Sequence, residues 1–322
     1  FTSTRDPTSP NTCPSMSVAT KLSRHLLVSR CSSYSSSRLM SNTTTYNCTA
    51  LNVTKAAPYV FNVELNRPNK MNAINKAMWE EVGDVFNKLD RDQECRVVIL
   101  SAAGKMFSSG IDLSDLSQLA SIVYSEDDIA RKSMIMYQNI RHLQDLFTTI
   151  EKCKKPVIGC VHSACVGAGV DLITTTDIRM CTMDAWFCVK EVDMGLAADV
   201  GTLQRLPKVI GSQSLVSDLC LTARRMESQE AERCGLVSSV FQTKEEMMSA
   251  AVDMATMIAA KSPVAVQGTK LNLVYSREHS VEEGLDEVAK WNMTMLQSED
   301  LMKSAMAAMD KSNTEPPEFA EF

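Results

Sequence analysis

Three glycine-bearing segments contain the residues whose types and spacing could do chemistry. They are residues 106–113 (MFSSGIDL), 166–172 (VGAGVDL) and 189–206, which begins VKEVDMGLAAD. Glycine beside a strand end lets a backbone approach a ligand closely, so two such loops can aim two N–H groups at one oxygen. Each donor of such an oxyanion hole contributes about 2.7–4 kcal/mol of transition-state stabilisation. The alternative is that the small residues of these loops only permit tight turns or helix packing.

Three carboxylates lie within or beside these segments. Asp171 stands in an apolar helix start, Glu191 ends a predicted strand, and Asp199 follows an apolar turn. Carboxylic acids in apolar surroundings have raised pKa values and can exchange protons near neutral pH. Two structural alternatives stay open. Asp171 or Glu191 could form an ion pair with Arg179 or Lys190, and Asp199 could be a helix N-cap.

The elements around these residues alternate between strands and helices. A period of two predicts a half-buried strand at 59–66, and an apolar stripe at helical spacing predicts a helix over 76–89. Short apolar runs predict buried strands, and helical patterns dominate after residue 200. The strands are expected at 96–101, 156–161, 178–181 and 186–190, and the helices at 200–210, 212–220, 228–233, 244–261, 263–275 and 281–310. This order predicts an α/β fold with an all-helical C-terminal region.

Composition and charge exclude several classes of protein. The chain has 322 residues, 44% hydrophobic and 22% charged, which is ordinary for a soluble globular protein. A net charge of −6, without a basic cluster among aromatic residues, argues against nucleic acid as a partner. No apolar stretch reaches the roughly 20 residues that span a bilayer. Eleven cysteines without C-x-x-C spacing and four scattered histidines argue against a disulfide framework and a metal site.

The first fifty residues have a different composition from the rest. Between residues 1 and 63 the only acidic residue is Asp6, whereas six residues are basic and serine is frequent. Such a segment is typical of an organelle transit peptide, and a disordered tail is the alternative. We expect 1–50 to be a mitochondrial transit or disordered segment. The chain ends in EPPEFAEF, which is not the peroxisomal address S-K-L, although a peroxisomal location stays possible.

The three segments resemble the crotonase (enoyl-CoA hydratase/isomerase) superfamily over roughly residues 55–310. The most specific part runs from Asp177-Ile-Arg to Arg205-Leu-Pro-Lys-Val-Ile-Gly211. The resemblance implies a spiral of β-β-α turns at 51–255, a C-terminal helical oligomerisation region at 256–322, and homotrimers or homohexamers. It also implies an acyl-CoA thioester as the substrate.

The same resemblance assigns roles to individual residues. The oxyanion donors would be the N–H groups of Ile111 and Ala168, where the family usually has glycine at the second position. The oxyanion hole and its substrate-binding loop would comprise Ser108, Ser109, Gly110, Ile111, Asp112 and Ala168. No metal or other cofactor is implied, because the thioester itself accepts the negative charge.

The acids point to one subgroup of the family. Hydratases of the family have Glu at the positions matching Asp171 and Glu191, and typically glycine at the position matching Asp199. The combination here resembles the enzymes that convert 3,5-dienoyl-CoA to 2,4-dienoyl-CoA in the β-oxidation of unsaturated fatty acids. Glu191 would be the base at C2 and Asp199 the acid at C6, while Asp171 would assist by tuning or hydrogen bonding.

Two alternatives remain at this stage. The first is an enoyl-CoA hydratase or a Δ3-Δ2-enoyl-CoA isomerase on the same fold, and Asp199 is the residue that discriminates, since a hydratase does not require it. The second is a non-catalytic relative that binds RNA or acts as a scaffold. The presence of all three acids and the lack of a basic cluster argue against the second alternative.

Overall fold

The strands of the described residues form two sheets. The computed structural model describes residues 46–115, 121–309 and 317–322. The strands are β1 (Leu51–Ala57), β2 (Val60–Leu65), β3 (Val97–Ala102), β4 (Val157–Val161), β5 (Ala164–Val166), β6 (Ile178–Thr182), β7 (Trp186–Cys188), β8 (Met226–Glu227) and β9 (Ser239–Phe241). The larger sheet has the order β1-β2-β3-β4-β6-β9, and the smaller one β5-β7-β8. Among the strand pairs of the described residues, β1–β2 and β7–β8 are antiparallel and the others are parallel.

Ten α-helices are described in full. They are α1 (Lys76–Leu89), α2 (Ile129–Lys152), α3 (Ala168–Thr174), α4 (Thr202–Ile210), α5 (Gln213–Thr222), α6 (Ser228–Arg233), α7 (Lys244–Ala259), α8 (Pro263–Ser276), α9 (Val281–Met295) and α10 (Glu299–Met309). Several begin where a polar side chain accepts a first-turn N–H. Asn75 caps α1 in this way, and Ser280 and Glu283 form a capping box at α9.

The larger sheet is covered on both faces. Every residue of β3 is buried. Val98 and Leu100 belong to the core cluster that α1 and α2 complete, whereas Val97 and Ile99 belong to the cluster completed by α7. A parallel strand that is buried on both faces has a continuous apolar sequence, which is why the run at 96–101 predicted it. Among the described residues, no helix has the length and apolar character needed to cross a membrane.

The predicted α/β core with a helical C-terminal region is confirmed, but four details of the prediction are wrong. Strand β5 was not expected, because its three residues are too few to show a period. Strand β1 was not expected, because it is an edge strand whose central residues are mostly exposed and polar. The region after residue 200 also contains β8 and β9, which are too short to show a period. The helix expected over 281–310 is two helices, α9 and α10. Ser262, the N-cap of α8, donates to the buried Asp300 Oδ2 (2.6 Å) and fixes the start of α10.

The two predicted boundaries compare differently with the structure. The expected division at 255/256 falls inside α7, whose buried alanines pack against the sheet. Almost all of the expected targeting segment, residues 1–45, lies outside the described residues.

Candidate active site

The loops that carry Gly110 and Gly167 lie side by side. Val166 N–H donates to Ser108 O (3.0 Å), which aligns the first loop with β5. Gly110 has a φ of +94°, and a Cβ added there would lie 3.0 Å from Val166 O and 3.8 Å from Ala168 N. A side chain would therefore be strained by the backbone conformation and would also crowd the second loop. Glycine at position 110 permits this close approach.

Two backbone N–H groups beside these glycines have no acceptor among the described residues. Ile74 N–H donates to Gly110 O (2.8 Å) and Asp112 N–H donates to Ile74 O (3.0 Å), which leaves the N–H of Ile111 between them unused. Ala168 is the first residue of α3, where backbone N–H groups lack a partner within the helix. Both N–H groups that the sequence singled out are therefore available to a ligand.

Ser108 and Ser109 shape the first loop from within. Ser108 is fully buried, and its Oγ donates to Asn72 O (2.9 Å) and accepts from Gly110 N–H (3.1 Å). Ser109 N–H donates to Met71 O (3.0 Å). These hydrogen bonds fix the backbone on either side of Gly110. The Ser108 hydroxyl is already satisfied by the loop.

Asp112 is held in the same loop as an ionised carboxylate. It accepts hydrogen bonds from Ser114 Oγ (2.7 Å) and from the Arg67 guanidinium (2.8 Å). The hydrogen bond from Ser114, followed by that from Arg67, lowers the pKa of Asp112 to about 2. A carboxylate with this pKa does not exchange protons near neutral pH, so Asp112 anchors the loop.

Asp171 is a fully buried carboxylate on α3. Its Oδ1 accepts from the N–H of Thr202 at the start of α4 (2.6 Å), and its Oδ2 is buried without a hydrogen-bond partner among the described residues. Burial raises the pKa of Asp171 to about 6, against the opposing effect of its contacts with Thr202. The charge of Asp199 raises this pKa further and that of Arg205 lowers it.

Glu191 opens the short 3-10 turn Glu191–Met194, beside both glycine loops. A Cβ added at Gly167 would lie 3.4 Å from Glu191 Oε1 and 3.9 Å from Gly110 Cα. The Oε2 atom is buried without a hydrogen-bond partner among the described residues. Burial, followed by the charge of Asp171, raises the pKa of Glu191 to about 7. Glu191 is thus half ionised near neutral pH.

Asp199 is the most exposed of the three acids, and it does not cap α4. The N-cap of α4 is Gly201, and the N–H of Thr202 goes to Asp171. The capping alternative for Asp199 is therefore wrong. Although Asp199 is exposed, partial desolvation of its carboxyl group by the surrounding protein raises its pKa. The charge of Asp199 in turn raises the pKa values of Asp171 and Glu191, which places the three acids within electrostatic reach of one another.

The ion-pair alternatives for the acids also fail. Lys190 pairs with Asp193, and Arg179 donates to the backbone oxygens of Thr176 and Leu236. Among the ion pairs of the described residues, none involves Asp171 or Glu191. No ion pair of the described residues therefore offsets the raised pKa values of Asp171 and Glu191. These acids can exchange protons beside the two free N–H donors.

Sequence reasoning missed several residues that support this site. Asp171 is fixed by Thr202, and the loop that carries Gly110 is fixed by Asn72 and Arg67, all from positions distant in sequence. The residue type of Asn72 was one local sign of its role, because asparagine tolerates a positive φ better than most residues. In the structure Asn72 adopts a φ of +51°. In the described parts of the chain, no group of three or more His, Cys, Asp or Glu side chains is arranged to hold a metal ion.

Comparisons with known proteins identify the family of this chain. The enoyl-CoA hydratase/isomerase family model matches residues 56–319. The mitochondrial Delta(3,5)-Delta(2,4)-dienoyl-CoA isomerase of Mus musculus is 54% identical over 276 residues, which covers 86% of this chain and 84% of the relative. The peroxisomal enzyme of the same name from Arabidopsis thaliana is 46% identical over 262 residues, covering 81% and 93%. The crystal structure of an enoyl-CoA hydratase from Bacillus anthracis shares the fold, with a TM-score of 0.75 at 24% identity, covering 84% of this chain and 99% of that one.

Proposed function

Because this chain belongs to the enoyl-CoA hydratase/isomerase family, we propose that it is a Δ3,5-Δ2,4-dienoyl-CoA isomerase acting in the β-oxidation of unsaturated fatty acids. The observation that carries the proposal is a third acid, Asp199, within electrostatic reach of Asp171 and Glu191. The name of the mouse relative and the acid-poor N-terminus support a mitochondrial location, while the Arabidopsis relative is peroxisomal.

The first step removes a proton from C2. The thioester oxygen accepts hydrogen bonds from the N–H groups of Ile111 and Ala168, which stabilise the negative charge that develops there. Ionised Glu191 takes the C2 proton, breaking the C2–H bond, and the electron pair spreads over the dienolate. Glu191 suits this step because a pKa of about 7 makes it a base of useful strength that is still ionised in a large fraction of molecules.

The second step delivers a proton to C6. Protonated Asp199 forms the new C6–H bond, and the double bonds settle at positions 2 and 4. Turnover leaves Glu191 protonated and Asp199 ionised, and exchange with water restores both. Asp171 stays beside Glu191, where its charge raises the pKa of the base. The reaction as written needs no metal or redox group, because the thioester holds the charge between the two proton transfers.

We further propose that the enzyme works as a homotrimer or homohexamer. The C-terminal helices α9 and α10 carry apolar side chains that are exposed in the single chain. Val281 is 80% exposed, Leu285 64%, Met302 58% and Met306 64%. Apolar faces of this extent are typical of surfaces that another chain covers. Sedimentation of the purified protein tests this, and a stable monomer would contradict it.

Ultraviolet spectroscopy of the purified protein tests the activity. Incubation with a 3,5-dienoyl-CoA should produce the absorbance of a diene conjugated with the thioester, and incubation with a 2-enoyl-CoA measures hydration in parallel. Asp199→Asn should lower isomerisation by roughly 10²-fold or more, the scale of general acid catalysis, with stability nearly unchanged. Full isomerisation by a stable Asp199→Asn protein would reject the role of Asp199. Hydration without isomerisation by the wild-type protein would favour the hydratase.

A further inference from the structure

One face of α2 is bonded to the segment that carries Asp199. Gln144 Nε2 donates to the backbone oxygen of Asp199 (2.5 Å). Seven residues further along α2, Glu151 Oε2 accepts from Arg205 Nε (3.2 Å) and Nη2 (3.1 Å). Between them, Thr148 Oγ1 accepts from Arg205 Nη2 (3.0 Å). Spacings of four and three residues place Gln144, Thr148 and Glu151 on one face of the helix.

The segment between these anchors has little freedom to move. Gly201 has a φ of +135°, and a Cβ added there would lie 1.9 Å from Arg205 Nη1, so the guanidinium packs directly against this backbone. One residue later, Thr202 N–H donates to Asp171 (2.6 Å). Residues 199–205 are therefore held by α2 near both ends and by the Asp171 carboxylate in the middle.

The Asp199 side chain itself has no such support. It is exposed, and within the described part of the chain it forms no hydrogen bond or ion pair with another residue. Its position relative to the substrate therefore depends on the backbone of the segment, and a displacement of about 1 Å at a reacting group can cost on the order of 10²-fold in rate.

We propose that the α2 face formed by Gln144, Thr148 and Glu151 is a positioning device for Asp199. By holding the 199–205 segment, it keeps the carboxyl group at the distance that proton delivery to C6 requires. The inference rests on the proposed function, since it concerns the second proton transfer of that reaction. It predicts that loosening the segment slows delivery at C6 while leaving removal of the C2 proton intact.

Two variants loosen the anchors with little change in volume. Gln144→Leu removes the donor to the backbone oxygen of Asp199, and Thr148→Val removes one of the two side chains of α2 that accept from Arg205. Gln138→Leu is the matched control, because Gln138 is an exposed glutamine of the same helix and forms no hydrogen bond with another described residue. For each protein, three quantities are measured: isomerisation of 3,5-dienoyl-CoA, exchange of the C2 proton with deuterated solvent, and amide hydrogen exchange of residues 199–205.

The positioning role predicts a specific pattern. Gln144→Leu should lower isomerisation by roughly 10-fold while C2 exchange stays within about 2-fold of wild type, and Thr148→Val should show a smaller shift of the same kind. Amide exchange across 199–205 should become faster in both variants, whereas Gln138→Leu should change none of the three quantities. Combining Gln144→Leu with Asp199→Asn should reduce isomerisation no further than Asp199→Asn alone, because the two residues act through one interaction.

Each contrary result overturns the proposal for a separate reason. If isomerisation and C2 exchange fall equally, the variant has damaged the whole site. If amide exchange across 199–205 is unchanged in Gln144→Leu, α2 does not hold the segment. If the two substitutions are additive, Gln144 acts independently of Asp199. A wild-type protein that does not isomerise the substrate refutes the proposed function and with it this role of α2, and that result is visible before any variant is made.

Discussion

Replacing Asp171 by asparagine should change how the stability of the protein depends on pH. Wild-type Asp171 must ionise in a fully buried position, with one hydrogen bond from Thr202 N–H to Oδ1 and no partner for Oδ2 among the described residues. Asparagine keeps an oxygen for the Thr202 N–H and has nearly the same volume, but it does not ionise. The substitution therefore removes the cost of burying the charge and retains the principal contact.

The pKa of Asp171 gives the size of the effect. Burial raises this pKa from 3.8 to about 6, and one pKa unit corresponds to about 1.36 kcal/mol, so the shift amounts to about 3 kcal/mol. The folded protein binds the proton more tightly than the unfolded chain does. The free energy of unfolding of the wild-type protein therefore falls by this amount as the pH rises from about 4 to about 6, and it stays lower above that range. The stability of Asp171→Asn relative to wild type should rise by about 3 kcal/mol over the same interval.

The interaction with Glu191 acts in the same direction. The charge of Asp171 raises the pKa of Glu191, so removing that charge lowers the pKa and reduces the cost of ionising Glu191 at higher pH. The partial exposure of Glu191 makes this contribution smaller than that of Asp171. The difference between variant and wild type should thus continue to grow slightly between pH 6 and 7.

Urea denaturation at a series of pH values measures the effect at a fixed protein concentration. Asp112→Asn is an informative control with the opposite sign. The lowered pKa of Asp112 means that its ionised form stabilises the fold above about pH 4, so this variant should be less stable than wild type, by a constant amount, between pH 5 and 8. Parallel stability profiles for wild type and Asp171→Asn would refute the assignment of a raised pKa to Asp171.

Three further predictions follow from the site and the N-terminal composition. Glu191→Gln should abolish exchange of the C2 proton with deuterated solvent, and exchange that survives the substitution would exclude Glu191 as the base. In the wild-type protein the rate of this exchange should rise as the pH passes about 7, because Glu191 ionises there. Ala168→Pro lacks the N–H and, if folded, should lose on the order of 10²–10³-fold in turnover, whereas Ile111→Val keeps its N–H and should be nearly normal. A fluorescent fusion of residues 16–50 should colocalise with mitochondria, and a diffuse cytosolic signal would contradict the targeting prediction.

The parts of the fold that follow from local patterns were predictable. The apolar stripe of α1 and the continuous apolar run of β3 predicted these elements to within a residue or two, because burial imposes a period on the sequence. The glycine loops were also recognisable, since Gly110 adopts a φ that favours glycine and lies against a neighbouring backbone. Strands of two or three residues, such as β8, have no period to recognise and depend on the partner strand.

The contacts that define the site were not predictable, because they join residues far apart in sequence. Thr202 N–H is 31 residues from the Asp171 oxygen that accepts it, and the Gln144 amide is 55 residues from the Asp199 oxygen. A local rule led to the wrong result at one position. Asp199 stands just before a helix and fits the preference for an N-cap, but a tertiary partner satisfies the first-turn donor and leaves the Asp199 side chain unbound.

The three acids show how one functional group, the carboxyl group, acquires different roles in a single site. Asp171 is buried and one of its oxygens accepts a hydrogen bond from Thr202 N–H, so its charge acts mainly on Glu191. Glu191 is half-buried beside the glycine loops, where a pKa of about 7 suits a base. Asp199 is exposed on a segment bonded to α2, outside the pair formed by the other two acids. Two acids around one carbon pair suffice for adding water to an enoyl thioester, whereas moving a proton from C2 to C6 needs an acid displaced along the chain. The step from one chemistry to the other therefore requires a carboxylate at position 199 together with the contacts that fix its backbone.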